Sequence, residues 1–126
     1  MQKTRLVGFI SNAVSKTLGF NGSKYKPGDK IYLGESNERH MKQRHSTTYI
    51  NYANRLSQII SSPDYVGIND EDGSLIYIKV FDNHVKLVVR IACDEKLYVR
   101  TMYTVYQSRT DYLIKSGKLK SLTKVI

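Results

Sequence analysis

Three runs in the middle of the chain, Ser74–Asp82, His84–Cys93 and Leu97–Tyr106, are rich in β-branched and aromatic residues. Short turns at Asp82–His84 and Asp94–Lys96 separate them. A fourth run, Tyr65–Ile68, precedes them through the turn Asn69–Gly73. Runs with this punctuation predict an antiparallel meander. Period-two alternation then assigns faces. Ile76, Ile78 and Val80 share one side of the first run, and Tyr77, Lys79 and Phe81 the other. In the second run Leu87, Val89 and Ile91 oppose Lys86, Val88, Arg90 and Ala92. In the third, Leu97, Val99, Thr101, Tyr103 and Val105 oppose Tyr98, Arg100, Met102 and Thr104. One face is aliphatic and suits a core. The other carries Lys79 and Arg90 among aromatic and hydroxyl groups, which a core does not need. Arg100 and Thr101 are neighbours and should point to opposite faces, so register decides which of them joins Lys79.

Outside the meander the period changes. In Thr47–Ser61, the residues Tyr49, Tyr52/Ala53, Leu56 and Ile59/Ile60 recur at three-to-four spacing, which predicts an amphipathic helix closed by Pro63. An earlier helix fits Glu35–His45, with Ser36 or Asn37 as its cap and Glu38 in its first turn. Within residues 1–20 a short helix is capped by Ser11 or Asn12, presents Val14 and Leu18, and ends at Gly19. Phe20–Lys30 reads as a basic loop with a turn at Pro27–Gly28, and Ile31–Leu33 as a short edge strand. Ser108–Ser116 predicts a helix closed by Gly117, and Lys118–Ile126 an edge strand or a frayed end. The sum is an α+β fold in one domain, residues 1–126. Its helices pack on a four- to five-stranded antiparallel sheet.

Charge narrows the partners. The 126 residues hold 20 Lys+Arg against 11 Asp+Glu, a net +9. That excess favours a polyanion. The single cysteine, Cys93, cannot form an internal disulfide. At the end of an apolar strand it is expected to be a small buried residue, as suits a reducing compartment. No run of 18 apolar residues and no signal-peptide core occurs, so a soluble protein is expected, with no membrane partner. A P-loop, a GxGxxG turn and a nucleophile elbow are missing, and no small-molecule cofactor is implied. His40 and His45 stand five apart, about 140° around a helix, whereas paired helical zinc ligands share one face at a four-residue step. No metal site is expected. His84, in a hairpin turn, should lie at the surface.

Phosphodiester cleavage without a metal remains within reach of these residues. RNA supplies its own nucleophile, the 2′-OH. The protein then needs a base for it, an acid for the leaving 5′-oxygen, and fixed positive charge at the phosphate. Histidine serves as base or acid. Lys79, Arg90 and Arg44 can hold the phosphate, and Thr101 or Tyr103 can donate hydrogen bonds to it. Ten tyrosines offer stacking platforms for unpaired bases.

The order of these motifs resembles the phage-associated barnase–EndoU–colicin–RelE-like nuclease domains. The resemblance rests on His40–His45 (HMKQRH), the amphipathic helix, Ser62–Gly67 (SPDYVG), Lys79, Arg90, Leu97–Tyr103 (LYVRTMY) and Ser116–Lys120 (SGKLK). It spans residues 31–120 and leaves residues 1–30 as a variable segment. It implies a barnase-like ribonuclease fold whose concave sheet face cleaves RNA without metal. By position, His45 and His40 are the implied catalytic histidines, Lys79 the basic strand residue that steadies the phosphate, and Thr101 and Tyr103 the TxY pair. Arg44, Arg90, Arg100 and Arg109 are left to bind substrate. Ser46 stands where many members have proline. Members of the group often occur in phages, prophages or bacterial toxins. The toxin members commonly act on tRNA in the bacterial cytoplasm, after delivery by a secretion or phage system, and are held by an immunity protein, here expected to be acidic. The residues leave two alternatives open: a non-catalytic RNA- or protein-binding module, or a structural phage component.

Overall fold

The apolar runs do become strands, but they form the middle of a larger sheet. The computed structural model describes residues 3–19 and 24–122. Among them β1 (Thr4–Phe9) and β2 (Lys30–Gly34) come first, followed by β3 (Tyr65–Ile68), β4 (Leu75–Val80), β5 (His84–Ile91), β6 (Leu97–Val105) and β7 (Lys120–Ser121). They lie in the order β1-β2-β6-β5-β4-β3-β7. Seven strands thus replace the expected four or five. The sheet is also not wholly antiparallel, because β2 joins β6 in parallel through Ile31↔Leu97 and Tyr32↔Tyr98. The expected edge strand Ile31–Leu33 is therefore internal, covered by the unforeseen β1.

The helices are α1 (Asn12–Leu18), α2 (Glu35–Arg44), α3 (Ser46–Tyr52), α4 (Leu56–Ser61) and α5 (Gln107–Lys115). Ser11 caps α1, its Oγ accepting the Val14 N–H at 3.1 Å, and Gly19 ends it at φ 61°. The cap of α2 is Gly34, with no side-chain bond, rather than Ser36 or Asn37. The helix expected over Thr47–Ser61 is broken by a 3₁₀ turn, Ala53–Arg55. That tightening lets Tyr52 stack on Phe81 (5.2 Å, 18°) while Leu56, Ile59 and Ile60 turn into the core. Ile60 packs so closely on β1 that a Cβ on Gly8 would lie 2.8 Å from its Cγ2.

Register corrects the face assignment. Tyr77 pairs with Leu87, and Leu87 with Met102, so these side chains share the core face with Val85, Val89, Leu97 and Val99. Ile76 and Ile78 lie on the opposite face, buried under Leu113 and Leu119 around α5. Both faces bury apolar area, so alternation alone could not tell the core side from the other. Lys79 pairs with Val85 and therefore shares the core face, whereas Arg90 points the other way. The two cations expected together are on opposite sides.

The Phe20–Lys30 loop is described only from residue 24; residues 20–23 lie outside the described residues, as do 123–126 of the tail. Its turn at Pro27–Gly28 is present, with Gly28 at φ 88° and the Asp29 N–H donating to the Lys26 carbonyl at 3.1 Å. Tyr25 is buried and its hydroxyl donates to the Gly73 carbonyl, pinning the loop to the β3–β4 turn. Burial pushes that phenol up to about 12. Cys93 is exposed, because β5 stops at Ile91 and leaves it in the turn. His84, expected at the surface, begins β5 half-buried, its Nδ1 3.0 Å from the Oγ1 of buried Thr110 on α5.

Candidate active site

The site forms where the sheet splits. β2 ends at Gly34 and turns into α2, while β6 runs on to Val105 and loses its neighbour on that side. Helix α2 takes the vacated edge. Asn37, instead of capping, donates from Nδ2 to the exposed ladder carbonyl of Val99 at 3.0 Å. Three residues on, His40 shares its side of the helix. Glu38 anchors the arrangement, accepting from Arg5 at 2.9 Å and from the Tyr49 hydroxyl at 2.8 Å.

His45 is both the last cap of α2 and the first of α3, at φ −134°, ψ 50°. Having left helical geometry, its ring does not follow the offset expected of a continuous helix. It lies 6.3 Å from that of His40, edge-on at 72°, and stacks on Tyr103 at 5.3 Å and 27°. Lys86 Nζ stands 5.3 Å from the centre of the Tyr103 ring. Tyr103 thus reaches the site through His45, as the surface that orients the imidazole.

These rings form one wall of a cavity of about 660 Å³, with Ser36 and Asn37. The facing wall is Arg90, Tyr98, Arg100 and Thr101 on β5 and β6. Arg100 and Thr101 both line it, against the expectation that only one could. A bulge explains this. Val88 pairs with Thr101 and Val89 with Val99, so Arg100 is the extra residue and the alternation restarts after it. Thr101 lines the cavity, but its Oγ1 is itself buried and has no hydrogen-bond partner among the described residues. Tyr98 is held by its hydroxyl, which donates to Asp94 Oδ2 at 2.7 Å and is thereby raised in pKa. Asp94 is lowered, chiefly by the Lys96 N–H and then by that phenol. Among the described residues, no carboxylate lines the cavity, and no three His, Cys, Asp or Glu side chains cluster as metal ligands.

Lys79, Arg44 and Arg109 are not brought here. Arg44 is exposed at the end of α2. Arg109 is exposed on α5, over the Tyr112 ring at 5.5 Å, and lines a separate cleft with Lys86 and Lys118. Lys79 Nζ donates to the Ser62 carbonyl at 2.7 Å and to its Oγ at 3.3 Å, beside Asp64 at 4.0 Å. It closes the end of α4. Lys79→Met is therefore expected to leave turnover unchanged while costing about 1 kcal/mol of stability. A thermal melt with an activity assay at low temperature checks this, and a loss of turnover at unchanged melting temperature would restore Lys79 to the chemistry.

Sequence reasoning missed Ser36, Asn37 and Tyr98. A signal existed for the first two, since both stand three or four residues before His40 on one helix. For Tyr98 it was the hairpin across Asp94–Lys96, which sets it opposite Arg90.

Residues 4–112 match the family described as phage-Barnase-EndoU-ColicinE5/D-RelE like nuclease3. The chain belongs to that family. The match takes in β1 and α1, which the resemblance seen in the sequence did not reach, and runs into α5. No curated relative and no solved structure matches the chain. The cavity brings together two arginines and two histidines and, among the described residues, no carboxylate. No helix among the described residues is long and apolar enough to cross a membrane.

Proposed function

We propose that this nuclease is a metal-independent endoribonuclease, a toxin or phage-borne effector acting on RNA in a bacterial cytoplasm. The observation that carries the reading is the pair of imidazoles 6.3 Å apart in one cavity with Arg90, Arg100 and Thr101. In-line attack puts the 2′-oxygen and the leaving 5′-oxygen on opposite sides of phosphorus. Base and acid must then stand apart, each within about 3 Å of its own oxygen. Two rings at this spacing meet that demand. His45, fixed on Tyr103, and His40 are the base and acid. The arginines balance the charge that builds on the phosphate, and Thr101, whose hydroxyl must first turn out of its buried position, donates to a non-bridging oxygen. The 2′-oxygen displaces the 5′-oxygen, leaving a 2′,3′-cyclic phosphate and a 5′-hydroxyl. The donor set supports a reaction without metal, since a hard cation is held mainly by carboxylates and none lines this cavity among the described residues. The net charge of +9 makes an acidic protein the fitting inhibitor.

The test is incubation of the purified protein with total bacterial RNA in excess chelator, followed by end-mapping. Discrete fragments with 2′,3′-cyclic ends support the reading, and the mapped sites show whether tRNA is the target. Activity that appears only when divalent metal is restored would overturn the mechanism. RNA bound in a gel shift but never cut would leave a binding module instead.

A further inference from the structure

The face that carries the cavity continues beyond it in a direction the chemistry does not use. Tyr32 on β2, Tyr98 on β6 and Arg90 on β5 are direct cross-strand neighbours, through Tyr32↔Tyr98 and Arg90↔Tyr98. Side chains paired in this way point to one face of the sheet. The result is a row of two phenol rings ending in a guanidinium that lines the cavity. The rings lie 6.0 Å apart at 41° and both are only half-buried. Elsewhere on this face Ile76 and Ile78 are covered by Leu113 and Leu119, while Val80 at the strand end is exposed. Tyr98 is also held still, by the bond from its hydroxyl to Asp94. Lys96 Nζ stands 5.7 Å from the centre of the Tyr32 ring, and a second hollow of about 350 Å³ lined by Tyr32, Lys96 and Lys30 adjoins the first at Ile91.

We propose that Tyr98 and Tyr32 form a stacking shelf for unpaired bases flanking the phosphate held at Arg90, with Lys96 meeting the backbone beyond. The proposal rests on the ribonuclease reading and narrows its substrate to single-stranded segments. A flat, partly exposed aromatic face is what an unstacked base seeks, and it offers nothing to a base already stacked in a duplex. Neighbouring lysines supply the charge that tracks the backbone. Tethering Tyr98 lowers the ordering cost of binding.

The experiment uses the His45→Ala protein, so that substrate survives, and a fluorescent eight-nucleotide single strand of mixed sequence. Its comparators are the same strand in a duplex and an abasic phosphodiester strand of equal length. Adding Tyr98→Ala is expected to weaken single-strand binding roughly ten- to hundredfold, as the loss of one stacked base would. Tyr32→Ala is expected to weaken it too, and Tyr98→Phe far less. Duplex and abasic binding should be unchanged, and the slope of affinity against salt likewise, because no phosphate contact is lost. Unchanged single-strand affinity in both alanine variants would overturn the shelf. So would an equal loss on the abasic strand, which would make the rings mere support for the fold. Cleavage by the unsubstituted protein is measured alongside. Cleavage with an unaffected Tyr98→Ala variant rejects the shelf alone. Tyr98-dependent binding without cleavage keeps the shelf and rejects the enzyme. Neither binding nor cleavage rejects both.

Discussion

His45→Ala is expected to slow RNA cleavage by about 10²–10⁴-fold, the range a positioned general acid or base supplies. The residue is chosen over His40 on geometry. His40 is exposed on a helix surface, whereas His45 is half-buried, leaves the helix at φ −134° and is stacked on Tyr103. A ring held in that way is already ordered before substrate arrives, which is where positioned groups gain their rate. The loss should fall on the maximal rate, because the arginines that bind the phosphate remain. His40→Ala should slow cleavage as well. The fold should survive, because the neighbouring helices are held by Asn37 on Val99 and by Glu38 on Arg5 and Tyr49. Rates are compared at saturating RNA and in chelator. A His45→Ala rate within about tenfold of the parent would move the base elsewhere.

Much of this site was legible in the residues, and what was not has specific causes. The strands β3 to β6 were visible because β-branched runs of that length between turn residues have few other solutions. Strand β1 was not, because Gly8 interrupts its pattern; that glycine is required by the Ile60 side chain packed against it. The histidines were visible and paired by the resemblance, but their contact was not legible. Their five-residue spacing was reckoned on a continuous helix, and the break at His45 is what brings the rings together. Arg100 and Thr101 were set against each other by strict alternation, and the bulge at Arg100 makes them partners at one wall. Lys79 and Arg90 were grouped because a chain of aliphatic and aromatic residues buried on both faces leaves the choice of face to register. Register is a tertiary property. The histidine and Arg100 cases share a form, a local periodicity that does not continue through a position where the backbone departs from it, whereas Lys79 and Arg90 turn on register alone.

The largest expected effect on stability comes from a residue outside the site, Gly67. Its strand β3 lies between β4 and β7, and the chain returning from α5 passes directly over it. A Cβ at Gly67 would stand 2.0 Å from the Lys118 carbonyl oxygen and 3.1 Å from Leu119 Cδ2. The first of these is backbone, and it is not free to swing aside. The Lys118 and Leu119 N–H groups both donate to the Leu113 carbonyl, at 2.9 and 3.1 Å, closing the end of α5. Gly67→Ala must therefore lift this whole return segment. Doing so draws Leu119 and Leu113 away from Ile76 and Ile78, the small apolar cluster they cover. Overpacking alone costs about 1–3 kcal/mol, and opened apolar surface adds to it at about 25 cal/mol per Å². For a chain of this size the melting temperature should fall by roughly 10 °C. The candidate cavity is lined by α2, the His45 cap that follows it, β5 with Ala92, and β6, none of which the lifted segment belongs to. Turnover well below the melting temperature should accordingly stay within about twofold of the parent, so the effect separates stability from chemistry. A melt by circular dichroism with a low-temperature assay decides it. An unchanged melting temperature would mean that β3 does not run beneath the Gly117–Leu119 return.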